Sequence, residues 1–407
     1  MNTIAERYVK LVLKLGIYDA DYVDAYYGPE EWKPTGGDAA KKEKFPYSDF
    51  HEEVKQLMEL LKGVTQTPAE KLRRNSMLKQ LVAVNAKIEI LSGKKLSFDE
   101  ESGRLYDAVA PSHSESHYKL LLVELGTLLP GSGEISARLE GYKQSFVIPK
   151  EKLDGVFKAA IAEGRRRTMK HIQLPSHESF TVEYVNNKPW SGYNWYKGNS
   201  FSVIQVNIDL PIFIDRAVDL ACHEGYPGHH VYNLLMEKNL FREREWKEFC
   251  VYPLFSPQSL IAEGSANFGI DVALPGQERV AFERDVLFPI AGFDPQRAPE
   301  YYKIQDAKAK LDDAGNEAAR NYLDGRWNAS AAVDWLVTYA LFSPERAAQR
   351  VKFIERYRSY VINYNLGQEM VRSFIEKRGG RADNAELRWK IFEELLSEPH
   401  TPSDLLK

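Results

Sequence analysis

Cysteine, long apolar runs and unbalanced charge are all scarce in this sequence, and each scarcity excludes a class of protein. Two cysteines in 407 residues, Cys222 and Cys250, are too few for a disulfide framework. No apolar run approaches the roughly 18 residues that a membrane-spanning helix needs. The 54 basic and 58 acidic side chains nearly cancel, which argues against nucleic acid as a partner.

The N-terminus adds to these exclusions, because Met1–Arg7 contains no basic region followed by an apolar core. A secretory signal is therefore not predicted. Together with the low cysteine content, this start predicts a protein of the reducing cytoplasm without a membrane partner.

Apolar residues recur at helical spacing along most of the chain, which predicts a mainly α fold with a small β-sheet. The stretch 97–112 is rich in Asp, Glu and Ser, and we expect it to connect two elements. We expect a helical lobe over 1–150 and a catalytic lobe over 151–407. The predicted helices are 5–15, 51–62, 71–91, 118–128, 135–146, 150–169, 277–286, 297–324, 331–341, 344–378 and 384–396.

Histidine is also rare, and three of the nine histidines fall between His223 and His230. Glu224 follows the first of them, directly after an apolar-periodic run. A zinc hydrolase needs neutral imidazole ligands and a carboxylate that takes a proton from water at the metal. We therefore predict His223 as a ligand and Glu224 as the general base. The alternative is a group of histidines that caps a broken helix.

The second ligand depends on how Pro227 and Gly228 interrupt the helix. In a straight helix His230, at i+7, returns to within about 20° of His223, whereas His229 points roughly 120° away. Proline lacks an N–H and clashes with the preceding turn, and glycine adopts almost any backbone angle. A helix that bulges or restarts there favours His229 as the second ligand, and His230 remains the alternative.

A catalytic zinc keeps three protein ligands and one open position, so a third ligand is required. Glu263 is the best candidate, because it is a lone acid in a segment of apolar and small residues. Asn267, four residues later, lies on the same helix face and can support a ligand. Two imidazoles and a carboxylate also accept Mn, Co or Ni, so the residues alone do not select zinc.

Taken together, these residues carry a family resemblance. The pattern His-Glu-x-x-Pro-Gly-His-His, followed about 40 residues later by Glu-Gly-x-Ala, resembles a large bacterial family of uncharacterised zincin-like proteins. The stretches 22–29, 200–207 and 364–367 also resemble that family. The fold of the family is similar to the helical gluzincin peptidases of the thimet oligopeptidase and Taq carboxypeptidase type.

The resemblance implies one zinc ion per chain, with His223, His229 and Glu263 as its ligands and Glu224 as the general base. Three departures concern substrate preference more than metal binding. Ser265 stands where the family often has Trp, Tyr232 stands where it often has Gln, and the stretch 324–327 lacks a common His.

Residues 177–208 alternate with a period of two, which predicts two to four strands. Phe201–Ile208 immediately precedes the metal motif. In a zinc peptidase, a strand in that place can pair with an extended substrate backbone. The alternative is a purely structural flap.

Arg356–Tyr364 places cations and phenols on one predicted helix. A developing oxyanion needs a donor besides the metal, and we expect Tyr364 to supply it. Arginine binds a carboxylate through two hydrogen bonds, and we expect Arg358 to hold the substrate. Core packing of the aromatic rings, with arginine at the rim, is the alternative. His113 and His117 have the i, i+4 spacing of a metal pair, but their Ser-rich context favours an exposed helix start.

Three functions compete at this point. The first is a zinc-dependent hydrolase that cleaves short peptides. The second is a zinc hydrolase of other amides or esters, such as acylated amino acids. The third is a non-catalytic helical protein that binds a metal or a peptide, and the presence of Glu224 argues against it, since a structural site needs no base.

Overall fold

The computed structural model describes residues 1–35, 45–64 and 67–407 of the chain. Helices form most of this part, and five short strands form two small sheets, as the predicted fold class requires. The helices are α1 (Asn2–Leu15), α2 (Tyr47–Lys62), α3 (Pro68–Leu91), α4 (Phe98–Leu105), α5 (Glu115–Leu128), α6 (Ile135–Gln144), α7 (Leu153–Thr168), α8 (Asp215–Leu220), α9 (His229–Leu235), α10 (Pro257–Ala273), α11 (Gln277–Phe282), α12 (Phe288–Ala291), α13 (Ala298–Ala309), α14 (Ala314–Leu323), α15 (Ala329–Tyr339), α16 (Pro344–Tyr357), α17 (Ile362–Lys377), α18 (Ala385–Ser397) and α19 (Pro402–Leu405).

Side-chain caps fix several of the helix starts. At the start of α3, the Thr67 hydroxyl accepts from the backbone N–H of Glu70, and the Glu70 carboxylate accepts from the backbone N–H of Thr67. This capping box satisfies two backbone donors that the first turn of a helix leaves unpaired. At the start of α4 there is a single capping bond, in which the Ser97 hydroxyl accepts from the N–H of Glu100.

Three of the predictions about helices are wrong. The stretch predicted as a connection contains α4, because Ser97 and the acidic first turn start a helix there. The predicted helix 297–324 is broken between α13 and α14. The predicted helix 344–378 is broken at Arg358, whose φ of 54° lies in the left-handed region.

The strands β1 (Val23–Tyr26) and β5 (Val251–Pro253) form an antiparallel pair. The larger sheet contains β2 (Ser179–Val185), β3 (Gly192–Tyr196) and β4 (Phe201–Asn207), in the order β2-β4-β3. β4 is parallel to β2 and antiparallel to β3. Because β4 is paired with a strand on each side, it has no free edge. The expectation that this strand pairs with an extended substrate backbone is therefore wrong. β3 is an edge strand.

The close packing of α10 against α17 brings two long helices into backbone contact. A Cβ on Gly264 would overlap the backbone of Gly367, and a Cβ on Gly367 would lie 2.6 Å from the carbonyl oxygen of Leu260. Only glycine at both positions permits this approach. The pair fixes the position of Glu263, the neighbour of Gly264, relative to Tyr364 at the start of α17.

One continuous apolar core includes buried side chains from before and after residue 150. The division into lobes at that residue stays a prediction. Both cysteines are buried free thiols. Among the described helices, none combines the length and the apolarity that crossing a bilayer requires.

Candidate metal centre

The histidine motif lies where a helix widens, stops and starts again. α8 continues into a wide turn over Ala221–Gly225, in which the N–H of Tyr226 reaches the carbonyl of Ala221. Residues 226–228 then leave the helix, and α9 begins at His229. The predicted interruption at Pro227 and Gly228 is confirmed.

Gly228 is the residue that makes the tight return possible. Its N–H donates to the carbonyl of Cys222 at 2.9 Å, and a Cβ at this position would overlap the carbonyl of His223. The chain therefore folds back directly over His223. As a result, the rings of His223 and His229 lie 4.7 Å apart, centroid to centroid, and nearly perpendicular.

Three ligand atoms meet at this return. His223 Nε2 lies 3.1 Å from His229 Nε2 and 3.2 Å from Glu263 Oε2, and His229 Nε2 lies 3.6 Å from Glu263 Oε2. Tetrahedral bonds of about 2.0–2.1 Å place zinc ligands about 3.3 Å apart. The triangle therefore has the size that a zinc ion requires.

Glu263 Oε2 supports the same conclusion from its lack of partners. Its atom is buried, and no described residue forms a hydrogen bond with it. A buried carboxylate oxygen without a partner is costly, and a bound cation would supply the missing partner. The other oxygen, Glu263 Oε1, accepts from the Tyr360 hydroxyl at 2.7 Å.

Asn267 orients the first ligand. Its Oδ1 accepts from Nδ1 of His223 at 2.8 Å, which leaves the lone pair of Nε2 facing the cluster. Its Nδ2 donates to the carbonyl of Tyr364 at 3.0 Å. Asn267 thus connects His223, a predicted ligand, to Tyr364 at the start of α17.

Glu224 lies beside the ligand cluster, and its carboxylate is buried, with 4% of the residue exposed. A Cβ on Gly192 of β3 would lie 2.8 Å from Glu224 Oε1, so glycine there leaves the space that the carboxylate occupies. Burial raises the pKa of Glu224, and the two neighbouring imidazoles oppose this shift. A raised pKa suits a group that must accept a proton and release it again.

Negative charge exceeds positive charge around the imidazoles. Burial alone lowers the pKa of His229, but Glu263, Glu224 and Asp24 outweigh it and raise the pKa to about 9. Burial raises the pKa of Asp24 to about 6, although the Tyr193 hydroxyl donates to its carboxylate. Three carboxylates around two imidazoles favour the binding of a cation.

The cluster opens into a cavity of about 750 Å³. His223, Glu224, His229, Glu263 and Tyr364 all line it, so the structure brings these five predicted site residues together. A cavity of this size holds a segment of a few residues.

The two other predicted site residues lie elsewhere. His230 is fully buried, and its nitrogens lie 2.8 Å from Ser202 Oγ and 3.1 Å from Glu178 Oε2, so it is not a third imidazole of the cluster. Its place one residue after His229 turns it by about 100°. Arg358 does not line the cavity, because the chain breaks there and its Nε donates to buried Glu101 at 2.6 Å.

Several cavity residues were not predicted from the sequence. Asp24 and Tyr193 come from β1 and β3, and Arg346 and Arg350 come from α16. A lone acid within the aromatic stretch 22–27 was the only local signal for Asp24. The i, i+4 spacing of Arg346 and Arg350 on one helix face was a signal for the two cations. The pair His113 and His117, with stacked rings 4.6 Å apart, does not line the cavity.

Comparison with known proteins gives a likeness in fold. A protein from Colwellia psychrerythraea described as a lipoprotein is similar at a TM-score of 0.54 and 14% identity, over 88% of this chain and 65% of that one. This chain thus spans less than two thirds of the length of that relative. No family model matches the chain, and no curated protein matches it in sequence.

Two further solved structures are similar at lower TM-scores. A lipoprotein of unknown function from Shewanella oneidensis gives 0.47 at 13% identity, over 88% of this chain and 72% of that one. The M32 carboxypeptidase from Deinococcus radiodurans R1 gives 0.47 at 12% identity, over 100% and 92%.

Proposed function

We propose that this chain is a zinc-dependent hydrolase that cleaves peptide bonds in short peptides. The observation that carries the proposal is the triangle of His223 Nε2, His229 Nε2 and Glu263 Oε2, with the Glu224 carboxylate beside it in the same cavity. A structural metal site has no need of such a base. These three residues would hold a zinc ion, which would lower the pKa of water and polarise the scissile carbonyl.

The chain's own residues supply the remaining steps. The Glu224 carboxylate accepts the proton of the attacking water and passes it to the leaving amine. Tyr364, which lines the cavity close to Glu263, donates a hydrogen bond from its hydroxyl to the oxyanion and keeps its proton. Asn267 and Tyr360 hold His223 and Glu263 in place through their hydrogen bonds.

The edge strand β3 is the surface on which a substrate backbone can extend. Gly192, Tyr193 and Asn194 of this strand line the cavity, and Asn194 Nδ2 donates to the Glu224 carbonyl at 2.7 Å. An extended peptide that pairs with β3 would therefore pass beside the general base. This arrangement favours short peptides as substrates. The cytoplasmic location of the protein stays a prediction.

The test is Glu224→Gln, which keeps the size of the side chain and removes its basicity. We expect the variant to keep one zinc per chain by elemental analysis and to lose peptide hydrolysis by at least about 100-fold. Glu369→Gln, an exposed substitution on α17, is the matched control and should leave both unchanged. Undiminished turnover in Glu224→Gln would refute the mechanism.

A panel of unblocked peptides against acylated amino acids separates the proposal from the amidase alternative, since both reactions use the same metal ligands and the same base.

A further inference from the structure

Three cations on the cavity wall form no ion pair with any residue that the structure describes. Lys143 of α6 and Arg346 and Arg350 of α16 line the cavity and are half-buried. Within the part of the chain that the structure describes, no carboxylate lies within 4.0 Å of their charged groups, although most buried cations of this protein form ion pairs. The other cavity cations differ from them, since Arg216 pairs with Asp219 at 3.2 Å.

The carboxylates whose charges act on these cations are already engaged by other groups. Asp215 accepts from the Tyr301 hydroxyl at 2.6 Å, and Asp312 accepts from Lys308 at 2.7 Å. Glu140 accepts from the amide of Gln144. These carboxylates reduce the repulsion among the cations at a distance, but none of them contacts Lys143, Arg346 or Arg350.

Such an arrangement is unfavourable in the protein alone. Arg346 and Arg350 stand at i and i+4 on α16, a spacing at which like charges destabilise a helix. Burial lowers the pKa of both guanidinium groups and of the Lys143 ammonium, and neighbouring cations lower the pKa of Arg346 further. An anion that enters the cavity would remove this cost.

The three cations follow one another along the cavity wall, beginning at Tyr364. Tyr360 donates to Glu263, and its ring lies 5.9 Å from the ring of Tyr364. The guanidinium carbon of Arg350 lies 5.8 Å from the centre of the Tyr364 ring, so Arg350 is the one of the three cations that lies over Tyr364. Arg346 follows one helical turn further on, and Lys143 faces it from α6.

We propose that the cavity selects substrates whose leaving half carries two carboxylates, of the kind found in a peptide with glutamate at its C-terminus. Arg350 binds the α-carboxylate, and Arg346 with Lys143 binds the side-chain carboxylate. Side chains at i and i+4 start about 5–6 Å apart. The two carboxyl carbons of glutamate are separated by roughly 5 Å in an extended chain, which matches this spacing.

The proposal rests on the proposed peptidase function and names its substrate class. The first measurement compares kcat/KM for alanylglutamate and alanylglutamine, which differ in the second charge. We expect the wild-type protein to prefer alanylglutamate at least about tenfold, because a charge-assisted hydrogen bond contributes this much. In Arg346→Gln the ratio should fall, because only Lys143 then remains to bind the side-chain carboxylate, and an unchanged ratio would overturn the assignment to Arg346. Equal rates for the two peptides in the wild-type protein would overturn the proposal.

The matched control is Arg356→Gln on the same helix. Arg356 pairs with Asp21 at 2.7 Å and does not line the cavity, so this substitution should leave the ratio unchanged. A ratio that falls equally in both variants would attribute the preference to α16 as a whole and overturn the assignment to Arg346. If Arg346→Gln fails to fold, the wild-type ratio still decides.

A binding measurement separates this proposal from the proposed function. Glutarate carries the two carboxylates of glutamate, and butyrate carries one, so any contact with a metal is available to both. We expect calorimetry to show glutarate binding at least about tenfold more tightly than butyrate, with a smaller difference in Arg346→Gln, which retains Lys143. If no peptide is cleaved but glutarate is preferred, the proposed function fails and the dianion site stands. Equal binding of glutarate and butyrate would overturn the site itself.

Discussion

Asn267 gives the sharpest test of the proposed metal centre, because it orients His223, a proposed ligand, and is not itself a proposed ligand. Its Oδ1 accepts from His223 at 2.8 Å, and its Nδ2 donates to the Tyr364 carbonyl at 3.0 Å. Asn267→Leu keeps the approximate volume and removes both hydrogen bonds. The His223 ring then loses the partner that fixes its tautomer and its rotation.

The expected magnitude follows from these two bonds. Loss of a hydrogen bond to a metal-ligating histidine costs about 10–100-fold in metal affinity, or about 1.4–2.7 kcal/mol. The two lost bonds should also lower the free energy of unfolding of the protein by about 1–3 kcal/mol. Asn267→Asp retains the acceptor for His223 and loses only the donor to Tyr364. We expect it to bind zinc at least as tightly as the wild-type protein.

The assay is a competition titration of zinc against a chromophoric chelator, with urea unfolding in parallel. Weakened zinc binding in Asn267→Leu and retained binding in Asn267→Asp would show that the acceptor is what matters. Wild-type zinc affinity in Asn267→Leu would refute the reasoning. Equal weakening in both variants would also contradict it, since the loss would then come from altered packing between α10 and α17.

Three further predictions concern the surroundings of the site. Gly264→Ala should lower the free energy of unfolding by about 1–3 kcal/mol in urea, because its Cβ would overlap the backbone of Gly367 and force α10 away from α17. His229→Ala should lose the zinc found by elemental analysis, whereas His230→Ala should retain it, and loss in both would contradict the ligand assignment. Burial raises the pKa of Glu178, but hydrogen bonds from His230, Tyr226 and Arg165 outweigh burial and lower the pKa from 4.5 to about 2. A lowered pKa gives stability above pH 4.5 that is lost as the pH falls towards 2, so Glu178→Gln should remove about 1–3 kcal/mol at neutral pH and flatten this acid dependence in urea titrations.

The helical pattern of the sequence located most helices, and the failures have local physical causes. α4 is short and carries an acidic first turn with Ser97 as its cap, so its composition resembles a loop. The break at Arg358 lies inside a continuous apolar periodicity. Arg358 adopts a left-handed φ of 54°, and because it is neither glycine nor proline, the sequence gives no signal of the break. The pairing of β4 on both sides depends on the order of strands, which alternation along one strand does not encode.

The candidate site divides in the same way. Residues within one motif, such as His223 and Glu224, are predictable because their chemistry and spacing are local. Arg358 was expected to hold the substrate because arginine binds carboxylates, and the break in the helix directs it to Glu101 instead. The cavity cation next to Tyr364 is Arg350, from the preceding helix. Which face of a helix meets a cavity is decided by the packing of distant segments.

The geometry of the metal centre depends on two close backbone approaches. Gly228 lets the chain fold back over the carbonyl of His223, so that histidines six residues apart can share one metal. Gly264 lets α10 meet α17 at Gly367, which brings Glu263 under Tyr360 and Tyr364. Both approaches exclude a Cβ, and neither glycine contributes a ligand. A substitution at either glycine should therefore weaken zinc binding, although all three proposed ligands remain unchanged. This effect would distinguish a site that depends on close backbone approach from one that depends on its ligands alone.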